Sequence, residues 1–401
     1  MVQISRMAGI ALVAVAVAAG PATQAQAEGL KLGALMPMTG GLQAYGGASL
    51  NGVKLAVDEM NAAGGVNGGK VALSVGDTQT SPQAGVDAAK RLVSVDKVQA
   101  VIGALSSGVT IPIASSVTSK SGVTQISSAS TSPVITGLAD NDFLFRTVPT
   151  DAVQGIALAQ VAAEKNLKSV SIIYVNNDYG KGLAEAFSKN FKGKVVASIG
   201  YEEKQASYRG EIQKAAKGKP ERLLLIAYPE DGIPIIKQSL EGGFFDKFVF
   251  TDGMKHEKLI EAIGARFLNG TYATAPESKS AAQDNFRKLY EKKYGELPPR
   301  PFIDSAYDAT ILAGLAAVKA GTNDPKAIRD ALRSVANPPG KKVGPGQFAE
   351  AVKAIKAGED IDYVGASGPQ NIDKNGDVAG TYGHWEIEGG KIVTKKVFEP
   401  K

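Results

Sequence analysis

Serine and threonine concentrate in two short loops of this 401-residue chain, Ser106-Ser107-Gly108 and Ser127-Ser128-Ala129-Ser130-Thr131-Ser132. Ser107 and Thr131 stand 24 residues apart, about one strand–helix repeat. An apolar run, Ala100-Val101-Ile102, ends at Gly103 ahead of the first loop, and a run over 123–126 leads into the second. Between them Val109, Ile113 and Val117 have helix-compatible spacing, and Gly122 stops the segment. Parallel strands joined by a helix place both loops at one edge of a sheet. Hydroxyls and free helix N–H groups meeting there favour an anion such as a carboxylate. Ser and Thr are also preferred N-caps, so on these loops alone a cap and a site are equal readings.

The elements that must position these loops alternate regularly. Strands are expected at 30–37 and 70–76, helices at 48–60 and 82–95, and then the central stretch. Residues 143–149 have no helical pattern and read as a crossing segment. The alternation restarts with strands at 169–175, 194–200, 221–227 and 247–251, interleaved with helices at 152–164, 182–191, 208–216, 232–240 and 257–263. Residues 270–274 read as a strand or a second crossing; helices at 281–294, 304–320 and 326–334 can complete the outer layer of the first half. Glu388-Gly389-Gly390-Lys391 joins two alternating runs as a hairpin. The class is α/β, with two doubly wound parallel sheets covered by helices on both faces.

Composition narrows the function classes. The chain is 44% apolar and 21% charged, which suits a globular protein. The net charge of +5 comes from dispersed basic residues and is weak support for a nucleic-acid or membrane partner. There are no cysteines, hence no disulfide and no thiolate-bound metal. Arg6, the apolar core from Met7 to Ala19 and the small-x-small pattern Ala25-Gln26-Ala27 predict a signal peptide over 1–27, cut after Ala27. Without a cysteine to carry lipid, the exported chain is expected to be unanchored.

Two motifs are decoys. Gly64-Gly65-Val66-Asn67-Gly68-Gly69-Lys70 fits a phosphate-loop pattern, but Val71 follows and the helix precedes the strand. Asp373-Lys374-Asn375-Gly376-Asp377 lacks the spacing and final Glu of a calcium loop and reads as a turn. A hydrolase is disfavoured: no GxSxG elbow occurs, and the only histidines, His256 and His384, stand beside no nucleophile and read as surface residues.

The chain resembles the type I periplasmic solute-binding proteins, in particular the leucine/isoleucine/valine-binding family of ABC transporters. The resemblance covers essentially the whole chain after residue 27. It is carried by LGALMPMTGGLQAYGGASLNGVKLAVDEMNAAGGVNG, VIGALSSG, ISSASTSP, FRTVPTD, NNDYGKG, AYPEDG, SAYDA and DYVGASGPQNIDKNGDVAG, in that order. It implies two lobes, 28–147 with 276–376 and 150–274 with 378–401, joined by three crossings and closing on a ligand by a hinge motion. It implies a non-enzymatic monomer in the periplasm that uses no cofactor, binds an amino acid, branched-chain or otherwise aliphatic, and docks on a membrane permease.

By motif, Ser107 and Thr131 would hold the ligand carboxylate through N–H or hydroxyl groups, and Ala129 would accept from its ammonium. Tyr45 would pack on the side chain. Tyr179, Tyr228 and Asp252 would come from the second lobe. Family members often carry Cys where Ser106 stands and Glu where Asp252 stands. The shorter Asp requires a deeper ammonium or a bridging water. The competing reading keeps the fold but gives it an amide, urea or aromatic acid as ligand. Asp252 discriminates, because a buried carboxylate calls for a cation.

Overall fold

A computed structural model describes residues 1–2 and 29–401. The expected signal peptide and its cut site lie outside the described residues.

The first sheet is all parallel. Its strands are β1 (Lys31–Met36), β2 (Ala72–Asp77), β3 (Ala100–Gly103), β4 (Thr124–Ser127) and β5 (Leu144–Arg146), in the order β2-β1-β3-β4-β5. Successive side chains of a strand point to opposite faces. In β1, Leu32, Ala34 and Met36 pack into the main core, whereas Leu35 joins Leu92, Val101 and Val109 on the other face. Both faces are therefore roofed by helices, as a parallel sheet requires. Helix Gln43–Ala62 lies on one face with helix Ile303–Ala320 packed along it, so a late part of the chain completes an early layer.

The second sheet repeats the design. Its parallel strands are β6 (Ser169–Val175), β7 (Lys194–Tyr201), β8 (Arg222–Ile226), β9 (Phe248–Phe250) and β10 (Tyr272–Pro276). A short parallel pair, β11 (Lys341–Val343) and β12 (Ile361–Gly365), lies elsewhere with the antiparallel β13 (Gly368–Pro369). The chain then returns to the second sheet as the hairpin β14 (Tyr382–Glu388) and β15 (Lys391–Phe398), added antiparallel to β10. Its two-residue turn is Gly389-Gly390, both at positive φ, which is the backbone a tight hairpin needs. The order is β15-β14-β10-β9-β8-β6-β7.

In both sheets the strand order reverses at one place, between β1 and β3 and between β6 and β8. A crevice opens beyond the carboxyl ends of the strands at such a switch point. Here the two crevices face each other across one cavity.

Two expectations are corrected and one element was missed. Residues 143–149 are not only a crossing, because Leu144–Arg146 pairs with β4 as the fifth strand. His256 and His384 are buried rather than on the surface. Helix Phe348–Lys356 was not anticipated, although Phe348, Ala351, Val352 and Ile355 have helical spacing. The glycine-rich stretch 64–70 is a turn closed by a Val66–Gly69 bridge. In the Asp-rich segment, Asp373 accepts from the N–H groups of Asn375 and Asp377.

Candidate ligand-binding site

Seven residues were expected to form a site. Six of them, Tyr45, Ser107, Ala129, Tyr179, Tyr228 and Asp252, line one cavity, which also has Leu42, Leu105, Gly253 and Phe302 in its walls. The space is tight: centres of water-sized spheres occupy about 20 Å3 of it. Thr131 does not line it.

The first-sheet wall is built from loops that leave β1, β3 and β4. Gly103 ends β3 at φ +123°, and a Cβ there would sit 2.3 Å from the Leu35 carbonyl, so only glycine lets the chain turn so close to β1. Helix Ser107–Ile113 starts at once, with Ser106 rather than Ser107 as its N-cap residue. Among the described residues the Ser107 N–H has no partner, as expected for a first-turn amide. The Ser107 hydroxyl accepts from the Ser132 N–H at 3.2 Å and keeps its own proton to donate. The second loop is pinned from beneath. Ser127 Oγ and Ser130 Oγ donate to the carbonyls of Ala104 and Leu105, Ser305 Oγ donates to the Ser128 carbonyl, and Arg146 donates to the carbonyls of Ser130 and Ser132. The Ala129 carbonyl and the Thr131 N–H are left without partners among the described residues.

Arg146 is fully buried. Its Nε donates to Asp377 at 2.6 Å, and Asp377 also accepts from Thr136. This ion pair joins the end of β5 to the last passage of the chain toward β14.

The Thr131 hydroxyl donates to Asp151 at 2.8 Å, and the Asp151 N–H donates to the Thr131 carbonyl at 2.7 Å. A hydroxyl that has given away its one proton can only accept further bonds. Thr131 can therefore offer an anion its N–H, and a cation its Oγ1.

The second-sheet wall is made of side chains. Tyr179 and Tyr228 follow β6 and β8, and their rings stack with centroids 5.7 Å apart. Tyr179 Oη donates to Asp252 Oδ1 at 2.9 Å, and Gln154 Nε2 donates to the same oxygen at 2.7 Å. Asp252 Oδ2 has no partner among the described residues. Burial pushes the Asp252 carboxyl up to about 6, against the lowering pull of those two hydrogen bonds. Asp151 is raised as well, first by burial and then by the Asp252 charge. Gly253 is a second obligatory glycine, since a Cβ would lie 2.6 Å from the Ala227 carbonyl.

The two walls are already bonded to each other. Tyr45 Oη donates to the Gly253 carbonyl at 3.0 Å, Gln43 Nε2 donates to Glu230, and Ser106 Oγ lies 3.3 Å from Tyr228 Oη. Arg300 forks onto Glu257 and also donates to the Ala44 carbonyl. His256 Nδ1 accepts from the Lys258 N–H, so Nε2 carries the proton and points it at the same Ala44 carbonyl, 3.2 Å away. Burial and the Arg300 charge lower His256 to about 4, which keeps it neutral. Its ring meets Tyr45 edge-on.

Sequence reasoning missed Asp151, Gln154, His256, Arg300 and Phe302. Asp151 lies within the FRTVPTD motif, and Phe302 follows the proline-rich Pro298-Pro299-Arg300-Pro301 and takes φ +73°.

Opposed donor and acceptor walls at facing switch points define a two-sided binding protein. The chain belongs to the periplasmic binding protein family, whose model matches residues 29–357. It is 30% identical over 333 residues to the Leu/Ile/Val-binding protein homolog 1 of Brucella suis, covering 81% of this chain and 86% of that one. Its structure is similar to the branched-chain amino acid transporter substrate-binding protein LivJ of Streptococcus pneumoniae in complex with isoleucine. The TM-score is 0.78 at 26% identity, covering 93% of this chain and all of the other. It is also similar to the leucine-binding protein LivK of Thermotoga maritima, with TM-score 0.79 at 25% identity and coverages of 92% and 99%. The family consists of substrate-binding proteins.

Proposed function

We propose that the protein is the exported substrate-binding component of an ABC transporter, and that it holds an α-amino acid, branched-chain or otherwise aliphatic, and presents it to a membrane permease. Two lobes, 28–147 with 276–376 and 150–274 with 378–401, close on the ligand as a monomer. Residues 1–27 are a signal peptide, and the exported form begins at Glu28 without lipid, as N-terminal sequencing would read directly.

One observation carries this reading. Ser107, with a free N–H, and Ala129, with a free carbonyl, line the same cavity as Asp252, whose Oδ2 accepts no side-chain hydrogen bond; the free Thr131 N–H lies in the Ala129 loop just behind the wall. An α-amino acid bears both complementary charges a few bonds apart. Its carboxylate takes the Ser107 N–H and O–H and the Thr131 N–H; its ammonium takes Asp252 Oδ2 and the Ala129 carbonyl, with Thr131 Oγ1 as a further acceptor. Tyr45, Tyr179 and Tyr228 enclose the side chain. The similarity to a protein solved with isoleucine supports the aliphatic choice.

A thermal-shift screen of the purified protein against the amino acids, followed by calorimetry, tests the reading. Asp252→Asn keeps the shape and removes the charge. A charge-assisted bond contributes about 1.5–3 kcal/mol, so affinity for the best amino acid should fall by about one to two decades. Equal affinity in the variant would remove the ammonium from Asp252 and favour an acid without an amine.

A further inference from the structure

A second, wider space lies on the far side of Tyr228. It measures about 460 Å3, and its walls include Ser106, Asn177, Tyr201 and the acids Asp178, Glu202 and Glu203. Tyr228 is the partition. Its ring lines the inner cavity, while its hydroxyl accepts from Asn177 at 3.2 Å and meets Ser106 at 3.3 Å, both of which line the outer chamber. These are long bonds, so the Tyr228 hydroxyl is weakly held although its ring stacks on Tyr179.

One buried polar group without a partner lines the chamber and a second lies behind it. Tyr201 is buried at 1% exposure, lines the chamber, and has a hydroxyl with no hydrogen bond. That hydroxyl lies among the charges of Asp231 and Glu203 and the Tyr228 phenol. Asp231 is also buried: its Oδ1 accepts from Tyr208 and from the Lys204 N–H, but its Oδ2 has no partner. Glu203 makes no ion pair among the described residues and is reached by the Asn177 amide. Burial, with Asp231 and Glu202 nearby, pushes it up to about 7 against the opposing pull of Lys204 and the Asn177 amide. Against three lining carboxylates stands one lining ammonium, Lys181, which is exposed. Buried acceptors without a counter-charge are costly, and a cation that brings N–H donors would satisfy them together.

We propose that this chamber is a second subsite for a cationic group, so that amino acids ending in an ammonium or guanidinium bind with their main-chain end in the inner cavity and their charged end beside Glu203. This rests on the amino-acid reading above and extends it from aliphatic to basic side chains. The ligand's side chain displaces the Tyr228 hydroxyl from Ser106 and Asn177 and enters the chamber.

The test is titration calorimetry of leucine, lysine and arginine with the parent protein and with Glu203→Gln, at pH 8, where Glu203 is ionised. Lysine or arginine should bind the parent, and Glu203→Gln should weaken that binding about tenfold while changing leucine affinity by less than about twofold. Unchanged leucine binding also shows that the variant folds. Leucine binding without lysine or arginine binding overturns the subsite and leaves the aliphatic reading standing. So does a Glu203→Gln effect that is absent, or equal for leucine and lysine. Failure of the parent to bind any amino acid overturns both.

Discussion

On the first-sheet side the polar groups that face the cavity are largely main-chain, the Ser107 amide and the Ala129 carbonyl with the Thr131 amide just behind them, beside the side chains of Leu42, Tyr45 and Leu105. On the second-sheet side it is faced by two stacked tyrosines and the carboxyl of Asp252. The main-chain wall is fixed by groups beneath it, including Arg146, Ser127, Ser130 and Ser305, none of which enters the cavity. The main-chain groups of that wall can be moved only through their supports. The side-chain wall can be rewritten residue by residue. On the reading proposed above, such a site separates two tasks: the main chain holds what all α-amino acids share, and the side chains set charge and fit.

The largest effect should come from breaking the main-chain wall at its support. Arg146→Met removes one partner of the buried pair with Asp377 and frees the carbonyls of Ser130 and Ser132. Urea unfolding should show a loss of about 3–5 kcal/mol. A loss below about 1 kcal/mol would mean that the loop holds itself in place.

Next in size is a pH effect that belongs to the side-chain wall. The Asp252 carboxyl is raised to about 6 in the folded protein. A ligand ammonium needs it ionised, so affinity should fall as pH drops through 6, by about tenfold between pH 7 and pH 5. The same group works in the opposite sense on stability. Between its usual value near 4 and the folded value near 6, the folded state holds more protons than the unfolded one, so its contribution to stability falls as pH rises across that window. Calorimetry across pH 5–8 should show the affinity slope in the parent and its loss in Asp252→Asn.

The smallest effect should be that of Thr131→Val. It removes the bond to Asp151 but keeps the backbone N–H that the main-chain wall supplies. A fall in affinity of about threefold is expected by calorimetry. A fall as large as that of Asp252→Asn would show that the hydroxyl, rather than the amide, carries the contact.

Much of this division could be read in the sequence. Ser107 and Thr131 stand in loops after apolar runs, whereas Tyr179 and Asp252 were legible only through the resemblance to the family. Other members could not be read. Asp151 stands in the first turn of helix Asp151–Glu164, where an acid is ordinary compensation for the helix dipole; only the fold brings it to Thr131. His256 owes its burial to Ala44 and Tyr45, more than 200 residues away in the chain. The strand Leu144–Arg146 is three residues long, too short for a period to show.

The hairpin β14–β15 closes on β10 only after more than a hundred intervening residues, and helix Ile303–Ala320 likewise returns to lie along helix Gln43–Ala62. Each sheet therefore waits for a distant downstream segment before its outer layer is complete. Closing such long loops must precede the contacts that reward it, which makes folding slow. Early in folding, then, the first sheet keeps an apolar face open and the second an open edge at β10, and both are covered only when the last third of the chain arrives.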